Sequence, residues 1–554
     1  ANTEGTLSDE LAMIDWSTLL DGRELEEVAD ISDQSAEALA AAFATKTKSE
    51  LFEMAQQDKL LLVPITTPAD VLDSEHYAAR EFWDEVEPVG LDRAVRFPGP
   101  WAHIDGPGLH RLGAPPLLGE HTDEVFADLV ASSPDEATKS ALGSPATRTV
   151  AETTRPFEGL TVVDFTWVYA GPFATRMLAY YGARVIRVES QTRPDQVRSS
   201  GLSRVMGDDG PEVSQQWHSI NADKQSLQIN LKVPEARQVV LDLAAKADVV
   251  INAFSPGVLE RVGLGHDDLM AVNPELIAVS TTLFGHSGPL SPIPGFGNMG
   301  AAMGGYYELT GWPDRLPAGP FLAYTDATSP RLTAAAIMAA LDWRDRTGRG
   351  MSIDFSQAEG GVHFLSEAVL DQEVNGFAQS RMGNADRWTA PHSAYRCGEE
   401  ADDDWMTIAC ENDEQWSSLA GLLGRSDLAA LSFSDRKGRE AELDELIAGW
   451  TMGQEPEALQ LRLQSEGVPA HWVQNSPEVV ADPQLLHRDH FHQVPHEVYE
   501  TTWAEQYGFR LSRADGTPRR SGPLWGEHNF EILSELLGYD GERIAELAIA
   551  ELLE

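Results

Sequence analysis

The run from Gly159 to Ser190, GLTVVDFTWVYAGPFATRMLAYYGARVIRVES, narrows the possible folds of this chain more than any other stretch. LTVVDF is short, apolar and β-branched, PFATRMLAYY has helical spacing, and ARVIRVE is a second strand-like run. Pro172 suits the first turn of a helix, where a missing N–H costs nothing. Gly182 suits the left-handed residue that ends one. Two buried-type strands joined by a helix predict a parallel βαβ unit. Such a unit aims helix N–H groups past the end of the first strand, which suits a phosphate. A dinucleotide fold, with Glu189 holding a ribose, is the ordinary reading of that geometry. The G-x-G-x-x-G fingerprint is missing, however, and Gly171 is the one glycine in the turn.

The same alternation continues downstream. SLQINL, the amphipathic ARQVVLDLAAKA, DVVINAF, a further helix and LIAVST predict a doubly wound parallel sheet, an α/β fold. After Gly350, a strand and a long helix lead into a smaller α+β domain. The short apolar FLAYT reads as a strand, and a helix is expected from Pro330 on, capped by Thr328 and Ser329. Asp326 then lies between strand and helix, at the carboxyl end of a strand, where open α/β sheets carry their chemistry. A turn aspartate bonding its own backbone fits the spacing equally well.

Charge excludes several functions. A formal net charge of −47 argues against nucleic acid and anionic membranes as partners. No apolar run approaches the roughly 18 residues that cross a bilayer, and ANTEGTLSDE lacks the features of a signal peptide. Two cysteines, Cys397 and Cys410, make neither a disulfide framework nor a metal site, so a cytoplasmic location and no metal are expected. Against the acidic background, Arg184, Arg187, Arg193, Arg198 and Arg204 form either a basic island for a polyphosphate or a set of solvated arginines. The acidic turn from Glu399 to Asp404 reads as a hairpin loop.

A long-period repeat sets the domain organisation. Phe43 and Trp450, Glu50 and Glu457, and Glu120 and Glu527 are each 407 positions apart. DVLDSEHYAAREFW matches EVVADPQLLHRDHF, with Arg80 opposite Arg488, and PLLGEHTDEVFADL matches PLWGEHNFEILSEL. A unit of roughly 400 residues is therefore duplicated. Residues 1–130 are expected to be the tail of a first copy, 131–156 a linker and 157–554 a whole second copy. Within that copy, 157–350 begins the large domain, 351–470 is the small domain and connection, and 471–554 returns to the large domain. The chain then reads as a fragment of a longer tandem protein. His121 and His528 each precede an amphipathic helix, and an ordering role at the helix start is expected of them.

The run D-x-T-x-V-x-A-G-P-x-A-T-x-x-L-A-x-x-G-A-x-V-I-x-V-E resembles the opening of the family III CoA-transferases, the CaiB/BaiF type that includes formyl-CoA transferase and α-methylacyl-CoA racemase. Lys224, the P-G-x-L-x-R of Pro256 to Arg261, and the N-P-x-L-I of Asn273 to Ile277 match the same pattern. So do Asp326, Ala334, Ala339 to Leu341 and Arg344 to Gly350 around the family's catalytic aspartate. The resemblance implies an enzyme that moves CoA between carboxylic acids, with acyl-CoA and a free acid as substrates and no tightly bound cofactor. The alternatives are an acyl-CoA racemase or epimerase of the same superfamily and a degenerate protein that binds acyl-CoA without turnover. It implies a ring-like, intertwined architecture, as a dimer or an intrachain pseudo-dimer. Asp326 would be the nucleophile, forming an acyl-aspartyl anhydride. Val168, Tyr169, Ala170, Lys224, Phe254 and Arg261 would lie along CoA, and Gly383 and Asn384 would belong to a loop over the site. A racemase needs a histidine partner, but the matching position holds Phe296, and His286 is off the pattern. Trp167 and Tyr169, where the family resembles H-V-Q, point to a larger or less polar acyl group or to ordinary packing.

Overall fold

A seven-stranded sheet carries the architecture, in the order β3-β9-β8-β7-β4-β5-β6. Its strands are β3 (Ala102–Ile104), β4 (Thr161–Phe165), β5 (Arg184–Glu189), β6 (Gln225–Gln228), β7 (Val249–Asn252), β8 (Ile277–Thr282) and β9 (Met351–Ser356). All neighbouring pairs are parallel except β3 with β9. The computed structural model describes residues 8, 11, 13–14, 25–105, 112–131, 155–199, 210, 212–398 and 404–554. Most of the expected linker, Arg204 and most of the acidic turn lie outside these residues.

The doubly wound α/β expectation holds. The chain enters the sheet at its centre, on β4, and winds outward first through β5 and β6, then through β7, β8 and β9. Successive crossovers reverse direction between β4 and β7, so their carboxyl ends open a crevice. Period-two alternation splits the strand side chains between two apolar layers. Val163, Ile186, Leu227, Val250 and Ala278 face one layer, closed by Ile532, Leu533 and Leu547 near the carboxyl end. Val162, Val185, Ile251, Val279 and Ile353 face the other, closed by Leu178, Ile337 and Leu341.

Two compact units emerge. The larger comprises Ala1–Tyr306, Pro320–Ala378 and His490–Glu554, and the smaller Tyr307–Gly319 and Gln379–Asp489. In the larger unit a hairpin of β1 (Trp83–Val86) and β2 (Val95–Pro98) precedes β3, and β13 (Phe491–His496) pairs with β14 (Glu500–Glu505). The smaller unit is an antiparallel sheet of β10 (His392–Cys397), β11 (Asp404–Ala409) and β12 (Ala470–Trp472) around its own core of Trp416, Leu419, Ile447 and Leu463.

One local expectation is corrected. FLAYT is not a strand: Phe321 and Leu322 are largely exposed and Leu322 has φ +55°. The helix runs from Tyr324 to Thr347 with Pro330 inside it, so Asp326 belongs to its first turn. Pro330 has no N–H to return to the Asp326 carbonyl, and the helix tolerates that loss so near its start. Thr328 and Ser329 are therefore not caps. The Ser329 hydroxyl instead donates back to the Thr325 carbonyl.

Candidate active site

The turn after β4 is held by a buried charge network. Asp164, at 0% exposure, accepts from the Thr166 N–H (2.9 Å), the Thr175 hydroxyl (2.6 Å) and the Lys224 ammonium (3.1 Å). Burial opposes its charge, but Lys224 and Arg187 hold its carboxyl below the usual range. Arg187 also reaches Asp195 (2.8 Å), which in turn accepts from the Val168 N–H (3.1 Å). Val168 has φ +64°, a costly conformation for a β-branched residue. Asp195 secures it by taking that amide. Close approach is also built in, because a Cβ on Gly171 would fall 2.2 Å from the Thr166 side chain.

Asp326 faces this turn across the crevice. It lines a cavity of about 160 Å³ together with Val168, Tyr169, Ser255, Thr281 and Gln357, and is itself 7% exposed. The Gly297 N–H donates to its Oδ2 (2.9 Å). Burial raises its pKa to about 6, with the Gly297 N–H and the Gln357 side chain pulling the other way. Thr325 ties both supports together, donating to the Gly297 carbonyl (3.1 Å) and weakly to Gln357 Oε1 (3.4 Å). The result is a carboxylate ionised at neutral pH, poorly solvated and presented to a cavity. A carboxylate in that state, unlike a solvated surface acid, can attack a carbonyl carbon brought into the cavity.

The chain matches the CoA-transferase family III model over residues 4–122 and 157–529. It belongs to that family. A succinyl-CoA–D-citramalate CoA-transferase of Chloroflexus aurantiacus is 32% identical over 397 residues, 71% of this chain and 97% of that one. Human succinyl-CoA:glutarate CoA-transferase is 30% identical, covering 72% and 90%. A probable CoA-transferase of Mycobacterium tuberculosis is 28% identical over 522 residues, 91% of this chain but 62% of that one. Among solved structures, a CaiB/BaiF family protein from Brucella suis superposes with a TM-score of 0.63 at 33% identity, covering 69% of this chain and all of that one. The protein is thus an enzyme of the family III CoA-transferase type.

Within this CoA-transferase, the residues expected along CoA separate into two groups. Val168, Tyr169 and Ala170 line the cavity. Tyr169 stacks on Phe173, and burial, then Asp326 and Asp195, raises its phenol pKa. Phe254 lies beside the cavity residues Ala253 and Ser255, its ring edge-on to Trp167. Arg261 is exposed on a short 3-10 turn, open to a ligand. Lys224 departs from its expected place. It is completely buried, donates to Asp164, the Pro172 carbonyl (2.9 Å) and Asn221 (2.9 Å), and burial brings its pKa down to about 8. With all three donors engaged, its geometry is that of a brace under the turn, not of a phosphate contact.

Three of the four described arginines of the basic island are taken up in ion pairs. Arg187 and Arg198 are buried against Asp195 and Glu189, and Arg184 pairs with Glu531. Arg193 is exposed, its guanidinium 5.1 Å above the Trp167 ring. Gly383, with φ +63°, and Asn384, whose carbonyl meets the His392 ring, belong to the smaller unit. His286 gives Nε2 to the Phe254 carbonyl (3.1 Å), whereas Phe296 lines the cavity. His528 is buried, its Nδ1 accepting from the Ser226 N–H (3.2 Å), which anchors the chain to β6.

Sequence reasoning missed Gly297 and Gln357. Gln357 follows β9 directly, so the rule that singled out Asp326, position at a strand's carboxyl end, was available for it too. Gly297 is steric: a Cβ there would lie 2.3 Å from the Asp326 N and 2.8 Å from its Cγ. Gly297→Ala must therefore push the carboxylate off its position. A displacement of about 1 Å can cost on the order of 100-fold in rate, so CoA exchange is expected to fall by about that factor. Steady-state exchange assays check this, and an unaltered rate would show that this turn does not set the carboxylate.

Proposed function

We propose that this CoA-transferase moves CoA between carboxylic acids through an acyl-aspartyl anhydride on Asp326. The observation that carries the reading is a buried, amide-held carboxylate on a cavity at the sheet's switch point. An Asp326 oxygen attacks the thioester carbonyl carbon, and the carbonyl electron pair moves onto its oxygen. Collapse breaks the C–S bond, leaving the anhydride and CoA thiolate. The incoming carboxylate attacks the aspartyl carbonyl carbon of the anhydride and the donor carboxylate leaves, which forms a second anhydride between Asp326 and the acceptor acyl group. Thiolate attack on that second aspartyl anhydride then releases the new thioester and free Asp326. The low exposure of the site limits hydrolysis of either anhydride. Two of the relatives above are named for succinyl-CoA, so it is the first donor to test. Mixing the chain with succinyl-CoA and labelled dicarboxylic acids should move label into the thioester pool. Hydroxylamine should trap Asp326 as its hydroxamate, found by peptide mass. Exchange without any trapped aspartate would argue against the anhydride. Phe296 at the cavity, with no proton to exchange, disfavours an acyl-CoA racemase.

We further infer that residues 1–130 are the tail of one transferase unit and 157–554 a second. The internal repeat, the two-part family match and a contrast in burial support this. Ile532 and Leu533 are 0% exposed in the core beside β6, whereas their repeat partners Val125 and Phe126 are 53% and 62% exposed. The exposed pair fits the large domain of another unit, in an intertwined dimer or a longer tandem chain. Replacing Val125 and Phe126 together by serine is expected to leave the Tm of this chain unchanged. The same change at Ile532 and Leu533 should cost roughly 4 kcal/mol or more. Equal shifts in a thermal melt would sink the assignment.

A further inference from the structure

Resting on the reading of Asp326 as nucleophile, we propose that the Thr281 hydroxyl is a substrate contact, donating a hydrogen bond to the acyl oxygen in the cavity.

Three observations converge on it. Thr281 is the fifth residue of β8, and alternation from Ile277 and Val279 places it on the sheet face covered by the helix that carries Asp326. It lines the same cavity as Asp326 and Gln357. Its hydroxyl is buried, at 1% residue exposure, and has no hydrogen-bond partner among the described residues. Buried hydroxyls are nearly always paired, since an unmet one costs free energy that water would otherwise supply. The preceding residue shows the contrast: the Ser280 hydroxyl, on the opposite face, meets Asn252 (3.1 Å) and the His266 ring (3.0 Å).

Thr282 lines the same cavity and its hydroxyl is also unpaired among the described residues, but alternation puts it on the other face of the sheet. An unpaired donor on a residue that lines a nucleophile's cavity is matched by an oxygen that arrives with the substrate. In the addition step the thioester carbonyl becomes an oxyanion as the Asp326 C–O bond forms. A pre-positioned hydroxyl stabilises that charge more than the ground-state carbonyl. The contact is then stronger in the transition state than before it, so it acts on kcat more than on KM.

Thr281→Val keeps shape and removes the hydroxyl, and Thr281→Ser keeps the hydroxyl. Loss of one oxyanion donor costs about 100- to 1000-fold in kcat, and a fall of at least about 10-fold is expected for Thr281→Val, with the KM for acyl-CoA changed less than threefold. Thr281→Ser should recover most of that loss. Since the hydroxyl has no partner among the described residues, the Tm of Thr281→Val should equal or exceed that of the unsubstituted chain. Exchange by Thr281→Val at the full rate overturns the inference and leaves Asp326 untouched. A Tm several degrees lower, restored by serine, also overturns it, because the hydroxyl then has a structural role. Absence of exchange in the unsubstituted chain, with no trapped hydroxamate, would instead remove the functional reading on which the inference stands.

Discussion

Asp326→Asn is expected to reduce CoA exchange by at least about 10⁴-fold, the scale on which removing a covalent nucleophile is felt. Asparagine preserves the size of the side chain and can still accept from the Gly297 N–H, so the loss would report chemistry and not collapse of the turn. The unsubstituted enzyme should show kcat/KM rising about tenfold per pH unit up to about 6 and level above it, as the carboxyl ionises. The same shift predicts a gain in stability. The folded-state pKa lies above the usual 3.8, so the folded protein binds this proton more tightly than the unfolded chain between those values. Its contribution to stability therefore falls as pH rises from about 4 to 6, and the ionised group is a net cost at neutral pH. Asparagine removes that cost, worth about 2–3 kcal/mol from the size of the shift. Denaturant titrations of both proteins at pH 4 and pH 7 measure it. A variant no more stable at pH 7 than the unsubstituted chain would mean that Asp326 is better solvated than its burial implies.

The second large effect concerns Arg80, which is 0% exposed. Its guanidinium donates to both oxygens of Glu359, to Asp354 Oδ2 (2.8 Å) and to Ser287 (2.8 Å). Glu359 and the cavity residue Gln357 share the short helix Gln357–His363. Arg80 thus ties a segment far away in sequence to the floor of the site. Arg80→Met strands the Glu359 carboxylate, whose side chain is 0% exposed, and is expected to cost about 3–5 kcal/mol. Adding Glu359→Gln should return a good part of that loss, since the stranded charge is then gone. Urea midpoints of the two variants test this, and two additive losses would show that the pair is not the source.

The contrast between Arg80 and Arg488, its partner in the proposed repeat, shows what the sequence match could not convey. The two stand in matching positions of that reading, yet Arg80 is wholly buried and Arg488 retains solvent exposure. Lys224 teaches the same point. Its place in the motif was legible, but whether the ammonium faces a ligand or braces Asp164 depended on β4 and β6 flanking β5, with Lys224 just before β6.

What the sequence determined by itself was local. The β4–helix–β5 unit and the parallel alternation follow from periodicity, turn residues and spacing within a few tens of residues, whereas the stretch read as a strand before Asp326 runs into the first turn of a helix. The tertiary structure alone decided which groups meet that carboxylate. Gly297 and Gln357 reach it from 29 and 31 positions away, and Thr281, 45 positions away, lines the same cavity. Strand order around the switch point sets those meetings, and no period in the chain encodes it. Burial did the rest: a carboxyl that the sequence could read as a solvated turn residue is drawn out of water by the packing of elements on both sides, and that desolvation shifts its proton equilibrium.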